Sequence, residues 1–205
     1  MKLKITDESY NILKTAIRSF STILFVVMPL LNLYAQNGKV NFTDVTEQAG
    51  IDFRYTFGDF TYENILESSG SGITIFDYNN DELPDLYMLN GTYLEGISDP
   101  DGKVFKNTRN KLYKNNGDGT FSEVAHKAGV DDPNWSMAAG VIDIDNDGDE
   151  DLYLLNYGPN IFFRNNGDGT FSDITQSLDL EGPTLLNGFT KWSVGVAFWD
   201  FNSDD

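Results

Sequence analysis

The sequence predicts an all-β fold made of repeated four-stranded antiparallel units, and three observations point to it. A nine-residue acidic loop, Asp143-Ile144-Asp145-Asn146-Asp147-Gly148-Asp149-Glu150-Asp151, has a near copy at Asp77–Asp85 and begins again at Asp200. A turn phrase, Asn-Asn-Gly-Asp-Gly-Thr-Phe, occurs unchanged at 115–121 and 165–171. From residue 40 onward the apolar residues alternate or form short runs, and no 3.6-residue period is sustained.

The loops are the chemically distinctive part. Carboxylates stand at positions 1, 3, 5 and 9 of the Asp143 loop (Asp143, Asp145, Asp147 and Asp151), with glycine at position 6. Alternate oxygen-bearing side chains on a tightly turned backbone can converge on one point, which suits a hard cation with 6–8 oxygen ligands, Ca2+ above all. Four carboxylates at such spacing repel one another strongly without a cation between them. The upstream copy carries Asp77, Asn79, Asp81 and Asp85; the downstream one starts with Asp200, Asn202 and Asp204.

Each loop is entered by a strand apolar on both faces: Ile73 to Phe76, Ala139 to Ile142 and Val196 to Trp199. Small residues stand five and three places before the first loop Asp (Gly72 and Thr74, Ala138 and Gly140, Gly195 and Ala197), which predicts crowding on one strand face. The strand leaving the loop reads Asp-Leu-Tyr-Met-Leu-Asn or Asp-Leu-Tyr-Leu-Leu-Asn. The turn phrase then supplies Asn-Gly and Asp-Gly, residues that accept the positive φ of tight β-turns, so Asp118 and Asp168 are assigned to turn chemistry. After the turn, Phe121 to Ala125 and Phe171 to Thr175 alternate as half-buried strands do, as does Phe42 to Thr46. Strand, acidic loop, strand, strand, turn and strand make four antiparallel strands per unit, and units of about 60 residues describe propeller blades.

The expected organisation is a signal peptide over 1–35, N-terminal strand(s) over 36–70, one blade over 71–130, a second over 135–180 and the start of a third over 192–205. Lys2, Lys4, Lys14 and Arg18 precede an apolar run from Ile23 to Leu31, too short to span a bilayer and followed by Leu33-Tyr34-Ala35. Export is therefore expected, to the periplasm, the cell surface or the medium, with no membrane span after cleavage. The first blade carries an extra stretch, Gly91 to Arg109, a candidate binding loop.

Formal net charge is -18, with 32 acidic against 14 basic residues. This excludes nucleic acid as a partner, since phosphate binding needs a basic surface. Residues 77–85, 143–151 and 200–205 hold 4, 6 and 3 of the acids, so bound cations would neutralise a large part of the charge. The chain has no cysteine, which excludes disulfides and thiolate metal sites.

Position 12 of the two complete loops is Met88 or Leu154 and the flanks are strands, so the EF-hand pattern fails. An Asp at position 9 that runs into a Leu-Tyr strand resembles the FG-GAP/VCBS repeats of integrin α-subunit propellers. The resemblance extends from about residue 40 to 205 and is nearest to the secreted branch related to cartilage acidic protein, the ASPIC/UnbV-associated proteins. It implies a partial β-propeller whose blades hold Ca2+ in the first hairpin. The implied side-chain ligands are Asp77, Asn79, Asp81 and Asp85 in one site and Asp143, Asp145, Asp147 and Asp151 in the other. The implied position-7 carbonyls belong to Leu83 and Asp149. Two departures stand out. Glu82 replaces glycine at position 6 of the first loop, with Pro84 beyond it, so the Asp143 site is expected to bind more tightly. Two blades and the start of a third do not close a ring, so further blades of the same chain are expected, one of them pairing with Phe42 to Val45.

No catalytic constellation is recognised. His126, the only histidine, has no nucleophile at a familiar spacing, and Gly70-Ser71-Gly72 reads as a small-residue approach to a strand. The expected function is an extracellular binding or adhesion module for a protein or glycan. The alternative is the non-catalytic part of a secreted enzyme or redox protein whose active site lies in inserted loops or further sequence.

Overall fold

The structure, a computed structural model, describes residues 41–68 and 72–201. The expected leader, Gly70-Ser71, Asn202 and Asp204 lie outside the described residues. The chain divides into two units, 1–44 and 45–205. Of the first, residues 41–44 are described and carry no secondary structure.

The second unit holds two four-stranded antiparallel sheets in simple up-and-down order. The first consists of β1 (Ile73–Phe76), β2 (Asp85–Met88), β3 (Lys111–Asn115) and β4 (Phe121–Glu123); the second of β5 (Ser136–Ile142), β6 (Asp151–Asn156), β7 (Ile161–Asn165) and β8 (Phe171–Asp173). Their registers match pair for pair: Phe76 faces Asp85 as Ile142 faces Asp151, and Tyr113 faces Glu123 as Phe163 faces Asp173. The two sheets are consecutive blades of a partial β-propeller.

Strand periodicity places the core between them. Phe76, Tyr87 and Leu112 from the first blade meet Leu152, Leu154, Phe163 and Phe171 from the second, all buried. The inner strands approach closely enough for the Thr74 hydroxyl to donate to the Ala139 carbonyl (3.3 Å). The small residues on these strands differ in how tightly they are enclosed. A Cβ on Gly72 would meet Ala138 Cα at 3.7 Å, and one on Gly140 would stand 2.6 Å from Val196 Cγ1 and 2.7 Å from Phe198 Cε2. Gly72 and Thr74 thus lie against the backbone of Met137, Ala138 and Ala139, whereas Gly140 leaves the space that Val196 and Phe198 fill.

Three segments depart from the repeat. Residues 41–68 form turns and bends without a strand, although Phe121 N–H donates to the Ala49 carbonyl (2.8 Å) at the edge of β4. The extra stretch of the first blade contains a short 3-10 helix, Pro100–Phe105, and is clamped to residues 56–61: Asp59 accepts from the Asp99 N–H (2.9 Å), and Thr61 donates to Asp99 (2.7 Å). After the second blade, β9 (Leu185–Leu186) and β10 (Phe189–Thr190) form a hairpin around Asn187-Gly188, both at positive φ. Trp192 bridges to Tyr157, and residues 193–201 form no ladder among the described residues.

Candidate metal centre

The Asp143 loop joins β5 to β6, and the hairpin itself folds it back. Asp143 accepts from the N–H groups of Asp147 (3.1 Å) and Gly148 (3.0 Å), and Asp147 accepts from the Asp149 N–H (3.0 Å). Asp151, fully buried, accepts from Ile144 N–H (3.0 Å) and Asn165 N–H (2.8 Å). One oxygen each from Asp143, Asp145 and Asp151 lie within 4.8 Å of one another, a group able to hold a metal ion. Burial pushes the Asp151 carboxyl above its ordinary value of 3.8, opposed by those two N–H donors, and the Asp145 and Asp147 charges push the same way as burial.

The Asp77 loop, between β1 and β2, repeats this wiring. Asp77 accepts from Asp81 N–H (3.2 Å) and Glu82 N–H (2.7 Å), and buried Asp85 from Tyr78 N–H (3.2 Å) and Asn115 N–H (2.7 Å). Burial raises the Asp85 carboxyl as it does Asp151. Glu82 sits at φ 64 where Gly148 sits at φ 91, so position 6 is left-handed in both copies and a side chain is strained there.

Two differences follow from the sequence. Lys114 Nζ donates to Asp81 at 2.6 Å, whereas Arg164, in the same register on β7, stands 4.0 Å from Asp145. That ion pair holds the Asp81 carboxyl below its ordinary value. The Asn79 side-chain oxygen at position 3 is buried without a hydrogen-bond partner. An orphaned buried carbonyl oxygen beside two or three carboxylates is the donor chemistry a hard cation takes.

The sequence reasoning missed how the loops are joined. Asn165 Nδ2 donates to the Tyr78 carbonyl (2.9 Å) and to that of Glu150 (3.2 Å), while Asn80 Nδ2 donates to Asp149 Oδ1 (2.6 Å). Asn115 Nδ2 likewise reaches the Pro84 carbonyl (3.0 Å). Position 4 is also left-handed in both loops, at Asn80 (φ 55) and Asn146 (φ 57). Asparagine at that position in both copies was the available signal, since it tolerates this backbone region better than most residues. Asp118 and Asp168 bond Thr120 and Thr170 within their turns. Of the third loop's expected ligands only Asp200 lies within the described residues, and His126 is exposed beside Asp131 (3.1 Å).

Consecutive four-stranded blades with an acidic loop in the first hairpin define a propeller-type repeat module. A family model described as an FG-GAP-like repeat matches residues 97–154 and 143–205, more than half of the chain, and the chain belongs to that family. Both matches contain the Asp143 loop; the Asp77 loop precedes them. Comparison with curated proteins finds no match. No helix among the described residues is long and apolar enough to cross a membrane.

Proposed function

We propose that the chain is an exported, Ca2+-stabilised propeller module that binds a protein or glycan outside the cell. The observation that carries the metal reading is the convergence of Asp143, Asp145 and Asp151 oxygens within 4.8 Å at the mouth of a hairpin. Asp147 and the Asp149 carbonyl would complete that site. Asp77, Asn79, Asp81, Asp85 and the Leu83 carbonyl would form a second, and Asp200, Asn202 and Asp204 would open a third. A saturated oxygen cage pins two strands together and leaves no open position for a substrate, so its role is structural. Within the family, the Asn-Asn-Gly-Asp-Gly-Thr-Phe phrase supports placing the chain near the secreted cartilage-acidic-protein branch. The basic and apolar N-terminal run supports export, and further blades of the same chain would cover the exposed Ile73 and Ile75 of β1.

Partner binding is assigned to the clamp of residues 56–65 and 97–105. The Phe60 ring packs at a tilt against Phe105 (4.9 Å) and Tyr62 against Phe57 (4.3 Å), yet Phe60, Tyr62, Ile65 and Val104 remain exposed. The metal reading is tested by thermal unfolding with and without Ca2+. A clear rise in Tm on adding Ca2+ that Asp143→Ala and Asp151→Ala each diminish is expected; equal melting in Ca2+ and chelator refutes it.

A further inference from the structure

We propose that Lys114 is a resident counter-cation of the Asp77 loop, one that holds the loop in shape without metal and competes with a divalent cation for it. The inference rests on the reading of the loops as Ca2+ sites. Lys114 and Arg164 occupy equivalent places, opposite Ser122 and Ser172 in their blades. Their loops offer them different partners. Position 3 is Asp145 in the second loop, so Arg164 has a carboxylate at the rim, 4.0 Å away. In the first loop position 3 is neutral Asn79, which cannot pair with a cation. Asp77 is engaged by three backbone N–H groups, Asp85 by two and Asp81 by one, that of Leu83. Asp81 has the fewest backbone donors of the three, and Lys114 closes on its Oδ2 at 2.6 Å while Asn79 Nδ2 supports the same oxygen at 3.0 Å.

A divalent ion at this loop needs Asp81 as the position-5 ligand. It must break the Lys114 pair, and it then repels the displaced ammonium. There is room for the displaced side chain. Lys114 borders a cleft of about 440 Å³ that Tyr78, Asn79, Lys127 and Asp168 also line. Breaking the pair also frees the Asn79 amide to reorient toward the metal. The first loop is therefore a self-neutralised version of the second: it needs metal less and takes it up less readily. Lysine suits this role better than arginine, because a single flexible ammonium lets go of one oxygen without surrendering a bidentate fork.

The test uses the full chain carrying Asp143→Ala, which leaves the first loop as the principal site. Ca2+ is titrated calorimetrically, and Tb3+ emission sensitised by Tyr78, at position 2 of this loop, gives a second readout. Lys114→Met is expected to raise affinity roughly tenfold. Lys127→Met makes the same charge change in the same cleft without touching Asp81 and is expected to have little effect. Lys114→Arg, whose fork releases Asp81 less readily, should bind Ca2+ no more tightly than the parent. Lys114→Gln serves as a second variant if the methionine chain folds poorly. Equal affinities for the Lys114→Met and Lys127→Met chains overturn the proposal, because general charge then explains the change. Ca2+ uptake by the unmutated chain at the Asp143 loop, with no uptake at the first loop in any variant, overturns it as well. Absence of Ca2+ binding at both loops removes the underlying metal reading and this proposal with it.

Discussion

The Asp77 and Asp143 loops share a hairpin, a backbone path and a pattern of N–H bonds, yet they meet the repulsion of crowded carboxylates differently. The Asp143 loop keeps acids at positions 1, 3, 5 and 9 and a glycine at its left-handed sixth position. The Asp77 loop replaces one acid by Asn79, accepts strain at Glu82 and brings Lys114 onto Asp81. One copy retains the charge that attracts a cation, while the other lowers its charge internally. Duplicated hairpins can thus keep one geometry and diverge in what stabilises it.

The largest expected effect comes from Asp151→Ala. It removes the acceptor of two N–H groups as well as a proposed metal ligand, so the metal-free chain should lose about 2–4 kcal/mol in denaturant unfolding. Asp85→Ala should cost a similar amount, because Asp85 serves Tyr78 and Asn115 in the same way. A small loss at either site would show that the shared hydrogen bonds are not what organises the loop. Next in size is the affinity gap between the sites. Asp143→Ala should remove the tighter Ca2+ step from a calorimetric titration and Asp77→Ala the weaker; the reverse order would refute that ranking of the two loops.

Position 6 gives a smaller, sharper contrast. No atom lies within 4 Å of a Cβ built on Gly148, so Gly148→Ala should cost about 1 kcal/mol from backbone strain alone. Glu82→Gly should recover a comparable amount, and matched chemical-denaturation curves would reveal whether the two changes mirror one another. The mildest effect concerns pH. The folded Asp85 and Asp151 carboxyls lie above 3.8, so their ionisation opposes folding of the metal-free chain. From these two groups the metal-free chain should gain stability as pH falls through their raised range, while Asp81, held below 3.8, contributes stability lost at still lower pH. Ca2+ affinity should move the opposite way and decline through that upper range, since the metal requires ionised ligands. A Tm series in chelator and in Ca2+ should therefore converge as the solution is acidified.

Much of the fold was legible because its determinants are local. Asn-Gly-Asp-Gly marks a turn, alternation marks a half-buried strand, and Gly140 announced a close approach that Val196 and Phe198 fill. The joining of the loops was not legible, because Asn165 and the Tyr78 carbonyl lie 87 residues apart. Asn165 belongs to a phrase that reads fully as turn chemistry, and its Oδ1 does accept from the Gly167 N–H (3.1 Å). Its second duty on the neighbouring blade has no sequence period to betray it. Lys114 was hidden for a similar reason: alternation identifies its strand face, whereas its partner depends on which loop residues are already engaged. The extra stretch 91–109 was visible as an insertion, but its clamp to Asp59 and Thr61 depends on a contact between distant irregular segments.

The one-sided placement of small residues on the strands that enter the loops gives the array a direction. Gly72 and Thr74 point one way and Ile73 and Ile75 the other, and the same sense recurs at Gly140 against Val196 and Phe198. The small-residue face of each blade receives the segment that follows, so a blade inserted in phase offers that face to its successor, whereas a reversed one would offer Ile73 and Ile75 instead. Lengthening by whole-unit duplication is therefore structurally cheap in this architecture, and each new copy is free to drift in its loop, as the Asp77 and Asp143 hairpins have done.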